Sequence, residues 1–146
     1  MAFNAIVIWL LKSPFHRLMS RNTVLIGYEG RITGKRYVVP VNFVRVARED
    51  GDHLLITSER GRTWWRNLRG GSPIGLQLKG KDLAATARSL EEIQEVEDGL
   101  MIYFAHAPGS ATYFNVGLDE GGRPTREDIA RAAQERVIID VDITKT

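Results

Sequence analysis

The sequence has no cysteine among its 146 residues. Disulfide scaffolds, thiolate zinc sites and thiol nucleophiles are therefore excluded, and a cytoplasmic setting is the accompanying expectation. Long apolar runs are also missing. The longest, residues 5–11, is seven residues, whereas a helical membrane span needs about 20. No basic residue precedes that run and no small-residue cleavage site follows it, so a secretory signal is not expected. Histidine is sparse: His16, His53 and His106 stand apart, without partners at metal-ligand spacing, and no metal is expected. No G-x-G-x-x-G follows a strand pattern, and no G-x-S-x-G is present. The segment from Gly30 to Lys35 is one spacer short of a P-loop and lacks the hydroxyl residue after its lysine. Repeats, low-complexity tracts and Pro/Gly/Ser linkers are absent, so residues 1–146 read as one domain.

Charge is present but uneven. The net value is only +2, yet residues 1–88 hold 15 Lys and Arg against 6 Asp and Glu, and residues 89–146 hold 5 against 12. A basic first part suits an anionic partner such as a phosphate, a nucleic acid or a lipid headgroup. Attraction between the two parts within one fold is the competing explanation.

Hydrophobic spacing supplies the elements. Residues 3–12 are apolar around most of a helical circumference, and residues 1–20 form an N-terminal helical segment restarted at Ser13-Pro14. Residues 23–28 and the long run 36–46 are β-branched and aromatic, and Pro40 inside the run marks an edge, a bulge or a break. Asp50-Gly51-Asp52 turns the chain into a strand at 53–57. Residues 62–68 read as a helix stopped by Gly70-Gly71. Residues 73–79 alternate Ile74, Leu76 and Leu78 with Gly75 and Gln77, a half-buried strand, and another strand occupies 83–90. Helices are expected over 91–106 and over 125–133, the latter opened by a Thr125-x-x-Asp128 capping box, before a closing strand at 137–143. Six or seven strands joined mostly by tight turns favour antiparallel pairing. A small barrel or strongly curved sheet with flanking helices closes such a set.

Two segments carry candidate chemistry. Residues 30–37 place Arg31, Lys35 and Arg36 with Tyr37 in a glycine-bracketed turn, which suits an anion; a solvated hairpin tip has the same composition. Residues 57–68 run from a strand end through a polar turn into a helix start. At 100° per residue Arg62, Arg66 and Arg69 share one face of that helix, while Trp65 and Leu68 share an inward one. At least one tryptophan should wall a pocket, although an inert surface stripe would have the same spacing.

At this second segment the chain resembles the deazaflavin-dependent nitroreductases, relatives of the FMN-binding split β-barrels. The resemblance rests on Ser13-Pro14-Phe15-His16-Arg17-Leu18, on Gly30-Arg31-x-Thr33-Gly34-Lys35 with Pro40 following, on Asp50-Gly51-Asp52, and on Ser58 followed by Trp64-x-x-Asn67-Leu68. It covers roughly residues 13–80 in order and fades after Leu90. It implies a split β-barrel of six to seven largely antiparallel strands with flanking helices, and an extended groove for an 8-hydroxy-5-deazaflavin (coenzyme F-420). By position, Arg31, Thr33, Tyr37, Val39, Pro40, Val41 and Asn42 would line the coenzyme. Ser58, Thr63 and Trp64 would hold its phosphate region, Trp64 and Asn67 match the family's most characteristic pair, and Lys35, Arg60, Arg62 and Arg66 would hold its anionic tail. Many relatives carry Lys where this chain has Glu59, a charge that Arg60 or Arg62 would replace, and some carry Arg where Tyr37 stands.

The implied activity is hydride transfer from the reduced coenzyme to a small-molecule electron acceptor: a quinone, a nitroaromatic or an enone. The coenzyme carries the difficult chemistry, and the protein orients and excludes water. Tyr113 is the candidate proton donor, with a core tyrosine as the competing reading. FMN is the second choice of cofactor. An FMN- or lipid-binding barrel is one alternative, and a nucleic-acid module built on the Arg/Trp segment is another, although no nucleic-acid partner is expected. Residues 3–12 would serve as a lid, as a peripheral membrane contact or as core. The assembly is expected to be a monomer or a homodimer.

Overall fold

The computed structural model describes residues 22–79 and 81–143. The helices expected within residues 1–20 lie outside them. Seven strands are present: β1 (Thr23–Glu29), β2 (Arg36–Asn42), β3 (Val44–Arg48), β4 (Gly51–Glu59), β5 (Ser72–Leu78), β6 (Lys81–Leu90) and β7 (Arg136–Asp142). Two α-helices, α1 (Ile93–His106) and α2 (Arg126–Glu135), and two short 3-10 segments, Trp64–Leu68 and Pro108–Phe114, complete the described elements.

Every pairing is antiparallel, in the order β2-β1-β5-β6-β7-β4-β3. The two outermost strands, β2 and β3, are consecutive in the chain with only Phe43 between them. In a flat sheet, six interstrand steps of about 4.8 Å would hold them about 29 Å apart, far beyond the reach of one residue. The sheet therefore curls until its edges meet, which makes it a split barrel. The run 36–46 breaks at Phe43 rather than at Pro40. Pro40 sits within β2 opposite Leu25, on an edge strand where a missing N–H is tolerated.

Alternation along the strands separates two cores. Leu54 and Ile56 of β4, with Val137, Ile139 and Val141 of β7, fill the barrel beside Val24, Ile26, Ile74 and Leu76. Leu55 and Ile138 point the other way, under Val96, Leu100 and Phe104 of α1 and Ile129, Ala132 and Ala133 of α2. Strand β5 departs from its expected half-buried pattern. Every residue from Ile74 to Leu78 is buried, because β5 lies between β1 and β6 and is covered on both faces.

Helix α1 starts at Glu92, whose carboxylate accepts the N–H groups of Gln94 and Glu95. It approaches β7 closely at Gly99, where a Cβ would stand 2.7 Å from the Ile138 side chain. At α2 the capping box is not formed: Thr125 makes no side-chain cap bond. Asp128 instead accepts the Gly117 N–H at 2.8 Å and pairs with Arg131 at 2.7 Å. Those donors, Gly117 first, then Thr125 and Arg131, hold its carboxyl below the usual range.

The helix expected over 62–68 is a 3-10 segment, Trp64–Leu68, ended by Gly70 and Gly71 at φ of 77° and 94°. Three residues per turn eclipse i with i+3, which puts both Trp65 and Leu68 into the barrel core. Trp65 Nε1 donates to the Glu59 carbonyl at 3.1 Å, and Asn67 Nδ2 donates to the Trp64 carbonyl at 2.9 Å. These tertiary demands override the periodicity of an α-helix.

Candidate functional site

The change of helix type breaks up the expected arginine stripe. Arg66 and Arg69, three apart, both lie over the Trp65 ring, at 5.6 and 5.2 Å. Arg69 also forms a two-pronged ion pair with Glu91 at 2.8 and 2.9 Å, which raises its pKa. Arg62 precedes the segment and points elsewhere, into a groove.

That groove, about 300 Å³, runs between β2 and the end of β4. Val39, Pro40, Val41, Asn42, Ser58, Arg62 and Trp64 line it, together with Thr57, Glu59, Tyr103, Phe114 and Arg136. The Trp64 ring is fixed by its Nε1 donating to Ser58 Oγ at 3.0 Å. Opposite the apolar β2 residues, Arg136 at the head of β7 donates Nε to Thr57 Oγ1 at 2.9 Å and Nη2 to the Thr57 carbonyl at 3.4 Å. Its guanidinium lies 4.4 Å over the Phe114 ring. Burial pulls the Arg136 pKa below its ordinary value; Glu59, Tyr103 and Glu135 oppose that shift, and Arg62 adds to it. Tyr103 is buried, and burial raises its phenol while Arg136 pulls the other way. Among the described residues neither Arg62 nor Arg136 has a carboxylate at ion-pair distance.

A second hollow, about 410 Å³, lies under the 30–34 turn and is lined by Tyr28, Glu29, Gly30, Arg31, Gly34, Ser72 and Pro73. The two sites share an aromatic partition. Tyr28 stacks on Tyr37 at 5.6 Å and meets Trp64 at 6.1 Å, and burial, then Tyr37, raises its pKa. The donors of this turn are largely engaged within the fold. The Arg31 N–H donates to Asn67 Oδ1 at 2.9 Å, and Arg31 Nη2 reaches the Arg69 carbonyl and, at 3.2 Å, Ser72 Oγ. Thr33 Oγ1 accepts the Lys35 N–H at 3.2 Å.

The residues singled out from the sequence are thus distributed unevenly. Seven of them line the groove. Arg31 lies in the second hollow with Thr33 and Lys35 in its turn, and Tyr37 belongs to the partition. Asn67 is a strut, bonded on one side to Arg31 and on the other to Trp64. Thr63 stands before the 3-10 segment without a side-chain cap bond. Arg60 is turned away from the groove: its guanidinium donates to the carbonyls of Ala133 and Glu91, tying the end of β4 to the helices. Tyr113 is 88% exposed and does not line the groove, whereas its neighbour Phe114 does. Tyr103, Thr57 and Arg136 were not singled out from the sequence. Tyr103 lies on the apolar Val96–Leu100–Phe104 face of α1, where nothing in the sequence marks it as more than core; Arg136, paired in register with Glu59, follows a helix of mixed charge with no motif around it.

A planar ligand of negative charge fits these groups: aromatic and aliphatic walls, two cations with no ion-pair partner among the described residues, and a second hollow across one aromatic partition. A solved structure described as a domain-swapped dimer superposes with a TM-score of 0.50 at 20% identity, covering 93% of this chain and 99% of that one. A protein of unknown function from Agrobacterium tumefaciens matches at 0.51 and 15% identity over 98% of this chain and 59% of its own. A pyridoxamine 5'-phosphate oxidase-related, FMN-binding protein from Nostoc punctiforme matches at 0.51 and 11% identity over 98% and 81%. These likenesses show the FMN-binding split-barrel fold. No curated protein matches significantly. The family described as F420H(2)-dependent quinone reductase matches residues 13–114, and the chain belongs to that family of deazaflavin-dependent oxidoreductases.

Proposed function

We propose that this protein passes a hydride from a reduced 8-hydroxy-5-deazaflavin to an electron-poor ring acceptor, a quinone first and nitroaromatics or enones of similar shape second. The observation that carries the reading is the groove itself, where Val39, Pro40, Val41, Trp64 and Phe114 wall a slot with two cations that, among the described residues, have no carboxylate at ion-pair distance. When bound, the reduced coenzyme supplies the hydride. The chain's own residues position and desolvate. Trp64, braced by Ser58, and the β2 aliphatics hold a flat ring and keep water from it. Arg62 and Arg136 supply positive charge, and the second hollow, with Lys35 in the turn beside it, receives the remainder of an elongated anionic molecule.

Tyr103 lines the groove, and its burial keeps the phenol protonated, the form that donates. Tyr113 stands outside at the surface. Comparing Tyr103→Phe with Tyr113→Phe by kcat and its pH profile assigns the donor: the larger loss, with a shifted basic limb, marks it.

The reading is tested by titrating the full chain with deazaflavin and with FMN, following tryptophan fluorescence, then adding menadione to the reduced complex. Micromolar deazaflavin binding, tighter than FMN, with menadione-dependent reoxidation is expected; no deazaflavin binding at micromolar concentration overturns it. A nucleic-acid role draws little support, because Arg31, Arg60 and Arg69 are engaged internally and the stripe they would extend is dispersed. We also propose a homodimer, a state taken from the dimeric structural neighbour, to be checked by light scattering. No described helix is long and apolar enough to cross a membrane, and a surface contact through residues 3–12 remains a matter for vesicle sedimentation.

A further inference from the structure

Arg136 is a half-buried cation whose surroundings are incomplete. Its guanidinium is covered on one face by Phe114 and oriented from one side by the Thr57 hydroxyl and carbonyl. These contacts fix its plane but leave its charge unneutralised. Glu59 and Glu135 attract it from beyond ion-pair distance, while Arg62, on the same groove, repels it. A cation withdrawn from water without a counter-ion is costly, and this one borders a slot that has Val39, Val41 and Trp64 among its walls, with Glu59 and Asn42 beside them. An oxygen carried on a flat ring would meet the guanidinium while the ring itself meets those apolar faces.

We propose that Arg136 is the seat of an ionised oxygen carried on a planar conjugated ring, so that the groove prefers ring ligands with an acidic hydroxyl to neutral rings of the same size. The inference deepens the proposed function, resting on it for the entry of a flat ring into this groove. The chemistry has two sources, the deazaflavin's own 8-hydroxyl and a hydroxylated quinone acceptor. A charge-assisted bond to a preoriented guanidinium is about twice as strong as a neutral one, so the preference should be large enough to measure by binding alone.

The test uses the full chain without turnover. Tryptophan quenching near neutral pH compares two matched pairs: 2-hydroxy-1,4-naphthoquinone with 1,4-naphthoquinone, and 8-hydroxy-5-deazariboflavin with 5-deazariboflavin. The expected result is about tenfold tighter binding of the ionised member in at least one pair, lost in Arg136→Gln and partly restored in Arg136→Lys. The pair that shows it identifies the source. Equal binding of ionised and neutral members by the unsubstituted protein overturns the inference, whether or not the variants fold. So does a preference that survives in folded Arg136→Gln, which would move the site to Arg62. If neither deazaflavin binds while the naphthoquinone pair shows the preference, the proposed coenzyme is wrong and the role of Arg136 stands.

Discussion

The 30–34 turn and the groove beside the Trp64–Leu68 segment both gather cations, yet they use them in opposite ways. In the turn, Arg31 is bonded to Asn67, Arg69 and Ser72, and it holds two parts of the chain together. In the groove, Arg62 and Arg136 face an open slot, and among the described residues no carboxylate, Glu59 of the same lining included, comes within ion-pair distance of either. Availability, not abundance, distinguishes a binding cation from a structural one. His53 shows a third arrangement: both ring nitrogens meet carboxylates, Asp140 at 2.7 Å and Asp50 at 2.9 Å, and Arg48 bonds the same Asp140 at 3.0 Å.

The comparison can be broken most forcefully from the packing behind the groove. Phe104 is fully buried and its ring touches those of Tyr103 and Phe114. Phe104→Ala should cost about 3–5 kcal/mol in urea unfolding and weaken ligand binding as the groove wall slackens. Undiminished affinity would show that the outer aromatic layer does not shape the site.

Arg60 and Arg62 sharpen the contrast within three residues of chain. Arg60→Ala strands the Ala133 and Glu91 carbonyls; a stability loss of about 1–3 kcal/mol is expected, with coenzyme affinity within about twofold of the original. Arg62→Ala should do the reverse: thermal stability nearly unchanged, and the dissociation constant raised about tenfold, as befits loss of one charged contact. Identical behaviour of the two variants would dissolve the distinction between engaged and available cations.

The smallest expected effect belongs to His53. Burial alone would lower its pKa, but the hydrogen bonds and charges of Asp140 and Asp50 outweigh burial and raise it. A raised histidine stabilises the fold fully below its unfolded pKa of about 6.5 and loses that contribution as pH climbs through the folded value. Thermal melts of His53→Gln should therefore fall further below the parent at pH 6 than at pH 9. A gap that widens with pH instead would mean that the ring is neutral in the fold.

Much of the sheet was legible because its strands obey period two, and the tight turn at Asp50-Gly51-Asp52 fixes the β3–β4 hairpin. What escaped is what tertiary contacts decide. Two tryptophans with separate hydrogen-bond demands convert an expected α-helix into a 3-10 segment, and that conversion disperses the arginines that helical spacing had aligned. Arg60 and Arg62 look alike in the chain; only the backbone carbonyls around them tell them apart. Tyr103 is hidden by its helical period among apolar residues, and Arg136 by distance, since β7 pairs with β4 from far along the chain and the two face β2 only once the sheet has curled.

That curl has a consequence for how the protein can be cut. The outermost strands meet at Phe43, so the rims of the sheet are tethered by the shortest possible link. A circular permutant opened there would release two borders that are held together only by that link, and their unpaired outer amides would stand open to passing chains. Permutants opened elsewhere should stay soluble, and this one should precipitate.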